Sequence, residues 1–494
     1  MKKNIDKYFI LNITIFTIII ILFVIGYAIN NNNLLLTTTV IFCFFNIISS
    51  LKNIRININF IVFNITFFVL LLGRYFLQMI SGENYGTIFP EEITKNTILL
   101  LFISLVALYI GKSSFELYKK KFNKKKQVKV NEEKLEEKKE KIKYVRQIAR
   151  VMFIITFIMA FAVTLETAVF VQQNSYLAKY TDFQTKIPSI IHKIAQTNFI
   201  FLMIYLFTFP SKKETFAVVI VYTIYLVTSI LSGGRSTFVI GILMLFMYFL
   251  SRERYIENEK YFTKKVIIIL GILGVILIIF LSCYTTLRNN IAIENFNPFD
   301  KFKQFFIDQG GSVNVISYTQ YYKDELPDTN SSYAFGPFIN YIKHGTLAKI
   351  LGYGQDYYTN NTVEMALYGN NLGATISYLV MPERYLNGEG LGTQYIAELY
   401  ADCSYAGVII YNLILGFLLM WFNNLKKENW IGLAFSFNIL KKMIYLPRQF
   451  AMEWVINLLS IPTILAIILV YGYSEIIYRY KTRRNKVEEN TMDS

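Results

Sequence analysis

The sequence predicts an all-α polytopic membrane protein with one large external segment late in the chain. Three observations lead there. Hydrophobic residues make up 54% of the 494 positions and charged residues only 17%. The apolar residues stand in long unbroken runs, and a bilayer core needs about 20 of them per helix. Lysine and arginine gather in every second connection between those runs, the asymmetry that marks the inner face of a membrane. A soluble chain of this length would form several domains with polar faces on most helices.

Taken in order, the runs place twelve spans near 8–29, 34–50, 58–80, 96–112, 148–172, 189–209, 215–231, 236–250, 266–283, 396–422, 430–447 and 455–474. The first follows Met1-Lys2-Lys3 and is too long for a signal-peptide core, so it is read as a span. The eleventh is interrupted by Lys441 and Lys442. With the N-terminus inside, the segments 52–55, 112–150, 211–214, 251–265, 423–429 and 479–486 all face the cytoplasm, and all are rich in Lys and Arg. Both termini are then cytoplasmic, and the chain is one integral membrane domain over 1–494. Within it, 113–147 is a charged cytoplasmic loop, read as a solvated helix with i,i+4 pairs beside lipid head groups.

The segment 284–395 is the large external loop, with seven basic residues against ten acidic ones. A loop longer than about 15 residues is usually functional or disordered, and its aromatic and apolar content argues against disorder. Short helices are expected at 335–342 and 372–380. Its tyrosines and asparagines suit sugar stacking and hydrogen bonding, and tyrosine also belongs at membrane interfaces.

The net charge of +16 needs no nucleic acid, because positive charge on one membrane face accounts for it. Cys43, Cys283 and Cys403 are odd in number and lie in or beside apolar runs, so no disulfide framework is expected. Two histidines, His192 and His344, make no metal centre. No P-loop, dinucleotide fingerprint, zincin helix or hydrolase elbow occurs. No nucleotide-dependent reaction, metal or cofactor is therefore expected.

The chain's chemistry concentrates at 388–408, GEGLGTQYIAELYADCSYAGV, where the polar segment meets an apolar run. At about 100° per helical residue, Tyr395, Glu398, Asp402 and Tyr405 share one stripe. Acids at the mouth of a membrane helix are costly unless they meet water, a partner or a substrate. A second stretch, SGGRST at 232–237, turns between two spans that count as short, which sinks the turn below the outer surface. Gly233 and Gly234 would let backbone N–H groups face an anion, with Ser236 beside them, and Arg235 would supply a phosphate-shaped fork. The alternative is a tight helical turn whose arginine reaches the outer head groups. Arg288, Arg384 and Arg448 lie on the same face, where basic residues are otherwise scarce. Arg74 and Glu166, each about two turns inside the outer end of its span, are expected to pair with each other rather than meet a substrate.

Together, SGGRSTF, the long late loop and GLGTQYIAELYADCSYAGV resemble the Wzy-type oligosaccharide repeat-unit polymerases, the O-antigen polymerases. The chain departs from that pattern after Asp402, where Cys403-Ser404 stand in place of an aromatic residue and a glycine. The resemblance implies a GT-C-like membrane glycosyltransferase, related in plan to O-antigen ligases. Its substrates would be polyprenyl-diphosphate-linked oligosaccharides on the outer face of the cytoplasmic membrane, with membrane lipids and a chain-length regulator as partners. The departing diphosphate needs fixed positive charge, for which Arg235, Arg288 and Arg448 are the candidates. The attacking hydroxyl needs a carboxylate, Glu398 first and Asp402 second. Gly233, Gly234, Ser236, Arg384, Gln394, Tyr395 and His344 are expected to contact substrate, His344 as a loop residue and not a base. A lipid-linked-sugar flippase or transporter and a ligase remain the alternatives.

Overall fold

The structure, a computed structural model, describes residues 7–123, 132–288 and 296–492. Among these residues every regular element is helical. Eleven helices are long and apolar enough to cross a membrane: α1 Ile10–Ala28, α2 Asn32–Leu51, α3 Ile54–Ser81, α4 Glu91–Lys121, α5 Glu136–Gln173, α6 Ser189–Phe207, α7 Lys212–Leu231, α8 Arg235–Tyr255, α9 Lys264–Thr286, α10 Tyr395–Asn423 and α11 Ile461–Asn485. The chain is a polytopic all-α membrane protein, as expected. The run at 430–447 instead forms a helix of 14 residues, Trp430–Met443. At 1.5 Å per residue it spans only about 21 Å. The chain then turns through Leu446–Arg448 into the short helix Glu453–Leu459. Pro447 has no N–H to continue a ladder.

Two compact units arise. The first comprises Met1–Tyr118, Phe249–Asn424 and Lys442–Trp454. Its spans are laced by buried amides, the bonds that hold helices together where lipid offers no alternative. Asn46 Nδ2 donates to Asn64 Oδ1 at 3.0 Å, Asn59 Nδ2 to the Leu419 carbonyl at 3.1 Å and Lys112 Nζ to Ser50 Oγ at 2.7 Å. α4 and α10 cross backbone to backbone: a Cβ on Gly111 would lie 2.1 Å from the Leu413 carbonyl oxygen, and one on Gly416 2.1 Å from that of Leu108.

The segment between α9 and α10 carries its own helices, among them Pro298–Gln309, Asn314–Tyr321, Gly336–His344 and Leu372–Val380. The last two answer the expectation of short helices there. Met365, Ala366, Ala374 and Tyr385 form a small buried core with Tyr378 against it.

The second unit comprises Lys119–Tyr248, Leu425–Lys441 and Val455–Ser494. α5 organises it. Arg146 donates to the Thr208 carbonyl at 2.7 Å, and Lys141 meets both Glu137, one turn away, and Glu475 of α11 at 2.9 Å. The first is an i,i+4 pair of the kind expected in the charged loop. α7 opens on a capping box between Ser211 and Glu214.

Arg74 and Glu166, expected as a pair, fall in different units, and each finds partners inside its own. Arg74 Nε donates to the Ile307 carbonyl at 2.8 Å. Glu166 accepts from the Thr185 hydroxyl and the Lys186 amide, both at 2.7 Å. A carboxylate that can cap a nearby loop gains its hydrogen bonds without crossing the fold.

Candidate active site

The acidic stripe begins at the first turn of α10. Gln394 caps the helix, its Oε1 accepting from the Ala397 amide at 2.7 Å, and both Gln394 and Tyr395 are fully buried. Tyr395 donates to Asn412 Oδ1 at 2.8 Å. These two residues, named as candidates for substrate contact, fix the helix end.

Glu398 is 0% exposed. One carboxylate oxygen accepts from the Thr393 hydroxyl, and the other from the Ala451 amide at 2.8 Å. Tyr411, further along α10, donates to the Ala451 carbonyl at 2.5 Å and accepts from Trp454 Nε1 at 2.9 Å. Two side chains of one helix thus hold both backbone polar groups of a single residue, the amide and the carbonyl of Ala451. Three residues before it lies Arg448, in the Leu446–Arg448 turn. Glu398, the first candidate for the base, is thus buried and bonded on both oxygens, and it ties the arginine turn to α10.

Asp402, one turn on, is partly exposed. It accepts from the Ser332 hydroxyl, from the Tyr333 amide at 3.0 Å and from the Ala334 amide at 2.8 Å. It thus gathers the loop that leads into helix Gly336–His344. Burial pushes the Tyr333 phenol up from its ordinary value, so it stays protonated beside the acid. A carboxylate offers about four lone-pair sites, so a fourth donor fits.

The stripe does not continue to Tyr405. α10 breaks at Ser404, which takes φ 52 and ψ −152, a region that glycine enters freely and serine does not. Tyr405 is turned onto Asn96 of α4, to which it donates. Sequence spacing missed this, because a helical wheel assumes an unbroken helix.

Arg448 is half-buried. Its Nη1 donates to Gln309 Oε1 at 3.1 Å, and among the described residues it forms no ion pair. Arg384 is 68% exposed on its side chain and paired with Glu389, whose carboxylate holds it above its ordinary value. His344 ends its helix with Nδ1 3.0 Å from the Gln355 carbonyl oxygen and its ring centroid 5.1 Å from that of Tyr357. Arg288 closes the helix Lys264–Arg288, and its side chain lies outside the described residues.

The SGGRST turn belongs to the second unit and differs from expectation in one way. Its flanking helices are not short: Lys212–Leu231 has 20 residues and Arg235–Tyr255 has 21, about 30 Å each. The amides of Gly233, Gly234 and Arg235 donate to the Ile230, Ser229 and Gly233 carbonyls at 2.8, 2.8 and 3.0 Å, so they close the end of α7. A Cβ on Gly233 would stand 2.4 Å from the Tyr176 ring, which covers the glycine face. Lys179 donates to the Ser232 carbonyl at 3.0 Å. Ser236, just past the turn, is exposed.

Residues 10–481 match the family model of the O-antigen polysaccharide polymerase Wzy. The chain belongs to that family. An O-antigen polymerase role follows for this Wzy-family membrane protein. No curated protein and no solved structure matches it.

Two features of the site of this Wzy chain escaped sequence reasoning. One is the Glu398–Ala451–Tyr411 clasp, which joins residues 53 apart in sequence. The other is the hydrogen bond from Arg448 to Gln309. Only Lys441-Lys442, polar inside an expected span, and the PRQF stretch between that span and the next pointed to them.

Proposed function

We propose that the protein joins polyprenyl-diphosphate-linked oligosaccharide repeat units into a surface polysaccharide on the outer face of the cytoplasmic membrane. A hydroxyl of one unit attacks the anomeric carbon of the other. The new glycosidic bond forms as the bond from that carbon to the phosphate oxygen breaks, and the lipid diphosphate leaves with both bonding electrons. Asp402 receives the hydroxyl proton. The Ser332 hydroxyl already donates to this carboxylate, and a sugar hydroxyl would join it as the fourth donor. Arg448 holds the departing diphosphate.

The observation that carries the reading is the clasp. A buried glutamate and a buried tyrosine fix the amide and carbonyl of Ala451, three residues after an arginine that has no acid of its own among the described residues. Preorganised charge of this kind favours a transition state that develops negative charge. Arg235 is proposed as a phosphate ligand in its own right, through its side chain alone.

Purified protein reconstituted with a lipid-linked repeat unit tests this. The wild type should build a polymer ladder with no nucleotide sugar. Asp402→Asn should slow it by about 10²-fold or more, in the range of general-base loss. Translocation of the unit across the bilayer without chain growth would make the protein a flippase, and a single transfer to a different acceptor would make it a ligase.

A further inference from the structure

Arg74 takes no part in the site described so far, yet it is held in an unusual way. The helix before it winds as a π-turn over Phe68–Leu72 and resumes at Gly73. π-turns inside α-helices re-aim the side chains around them and recur at functional sites. The Arg74 guanidinium is half-buried. Its Nε donates to the Ile307 carbonyl at 2.8 Å. Its Nη1 and Nη2 donate to no acceptor and join no ion pair among the described residues. Asp308, next to Ile307 in sequence, has its Oδ1 taken by Gln304 Nε2 at 2.6 Å.

Glycines make the room. A Cβ on Gly310 would stand 2.6 Å from Arg74 Cβ, one on Gly86 2.7 Å from Nη1, and one on Gly311 2.9 Å from Nη2. Both ends of the fork are lined by backbone that carries no side chain. Arg448 reaches the same five residues, through Gln309 at 3.1 Å. Two guanidinium groups from distant parts of the chain therefore meet the stretch 307–311, each with donors to spare.

We propose that Arg74 and Arg448 form one seat for a lipid-borne diphosphate, with Gly310-Gly311 as its floor. This rests on the reading of Arg448 as a diphosphate ligand and adds its partner. Each phosphoryl group would take one planar fork. A phospholipid head group shares the chemistry but brings one phosphate and a single charge, and two forks fit the diphosphate better.

The test uses the full-length protein in phosphatidylcholine nanodiscs, with undecaprenyl diphosphate binding in one arm and phosphatidylglycerol binding in the other. Arg74→Gln should weaken undecaprenyl diphosphate binding about tenfold or more, the worth of one charge-assisted contact. Arg74→Lys, which keeps the charge and one donor for Ile307, should still bind several-fold more weakly than the wild type. Gly311→Ala, which keeps Arg74 but displaces its fork, should weaken binding in the same direction, and it decides the matter should Arg74→Gln not fold. Unchanged undecaprenyl diphosphate affinity in Arg74→Lys and Gly311→Ala would overturn the seat. So would losses confined to phosphatidylglycerol, or losses that appear only with a matching fall in thermal stability. If Arg448→Ala also binds undecaprenyl diphosphate as the wild type does, the reading of Arg448 falls with it. If Arg448→Ala alone is impaired, that reading stands and only Arg74 is removed.

Discussion

Ser404 holds a backbone conformation, φ 52 and ψ −152, that costs a residue with a Cβ about 1–3 kcal/mol. The resemblance to the Wzy-type polymerases makes glycine the expected residue there. Ser404→Gly should therefore stabilise the protein by about 1 kcal/mol after the added freedom of the unfolded glycine is subtracted. Thermal unfolding in detergent measures it, and a lowered midpoint would mean that the break in α10 is unstrained. The departure from the pattern was legible in the sequence, but its consequence was not, because a wheel of Tyr395, Glu398, Asp402 and Tyr405 has no place for a kink. Burial separates two neighbouring acids at this scale. Glu398 and Asp402 look alike in sequence, and only the fold puts the first behind Thr393 and Ala451 and leaves the second partly open. Glu398→Leu keeps most of its volume but leaves the Ala451 amide and the Thr393 hydroxyl without their acceptor. It should destabilise the protein by about 1–3 kcal/mol, and a variant that melts like the wild type would show that the clasp is not needed.

The crossing of α4 and α10 is an element-scale device. Gly111 and Gly416 each let the partner backbone come within reach of where a Cβ would be, the close approach that small residues permit between membrane helices. Gly416→Ala should cost about 1–3 kcal/mol, read as a lower melting temperature, and an unchanged one would mean that the helices separate without penalty. Spans were the most legible feature of the sequence, since an apolar run of bilayer length has few other uses. The errors came from polar ends. Counting only apolar residues made the helices beside SGGRST short, because Lys212-Lys213-Glu214 and the residues up to Tyr255 were left out, although both helices include them. Lys441-Lys442 gave the opposite signal correctly, marking a run that ends as a short helix.

For the whole molecule, composition was enough to give the class and the short motifs enough to give the family. The site was not legible as a whole, because its contacts join residues far apart in sequence. Ala451 meets Glu398, Arg448 meets Gln309, and Asp402 meets Ser332 across 70 positions. Hydropathy reports none of these. The central claim is that the lipid diphosphate is the leaving group and that no nucleotide sugar drives the reaction. The most direct measurement counts undecaprenyl diphosphate released against glycosidic linkages formed by the reconstituted protein. The account predicts one released for each linkage, with Arg448→Ala lowering both together by about 10²-fold. Linkages formed without lipid diphosphate release, or only when a nucleotide sugar is supplied, would contradict it.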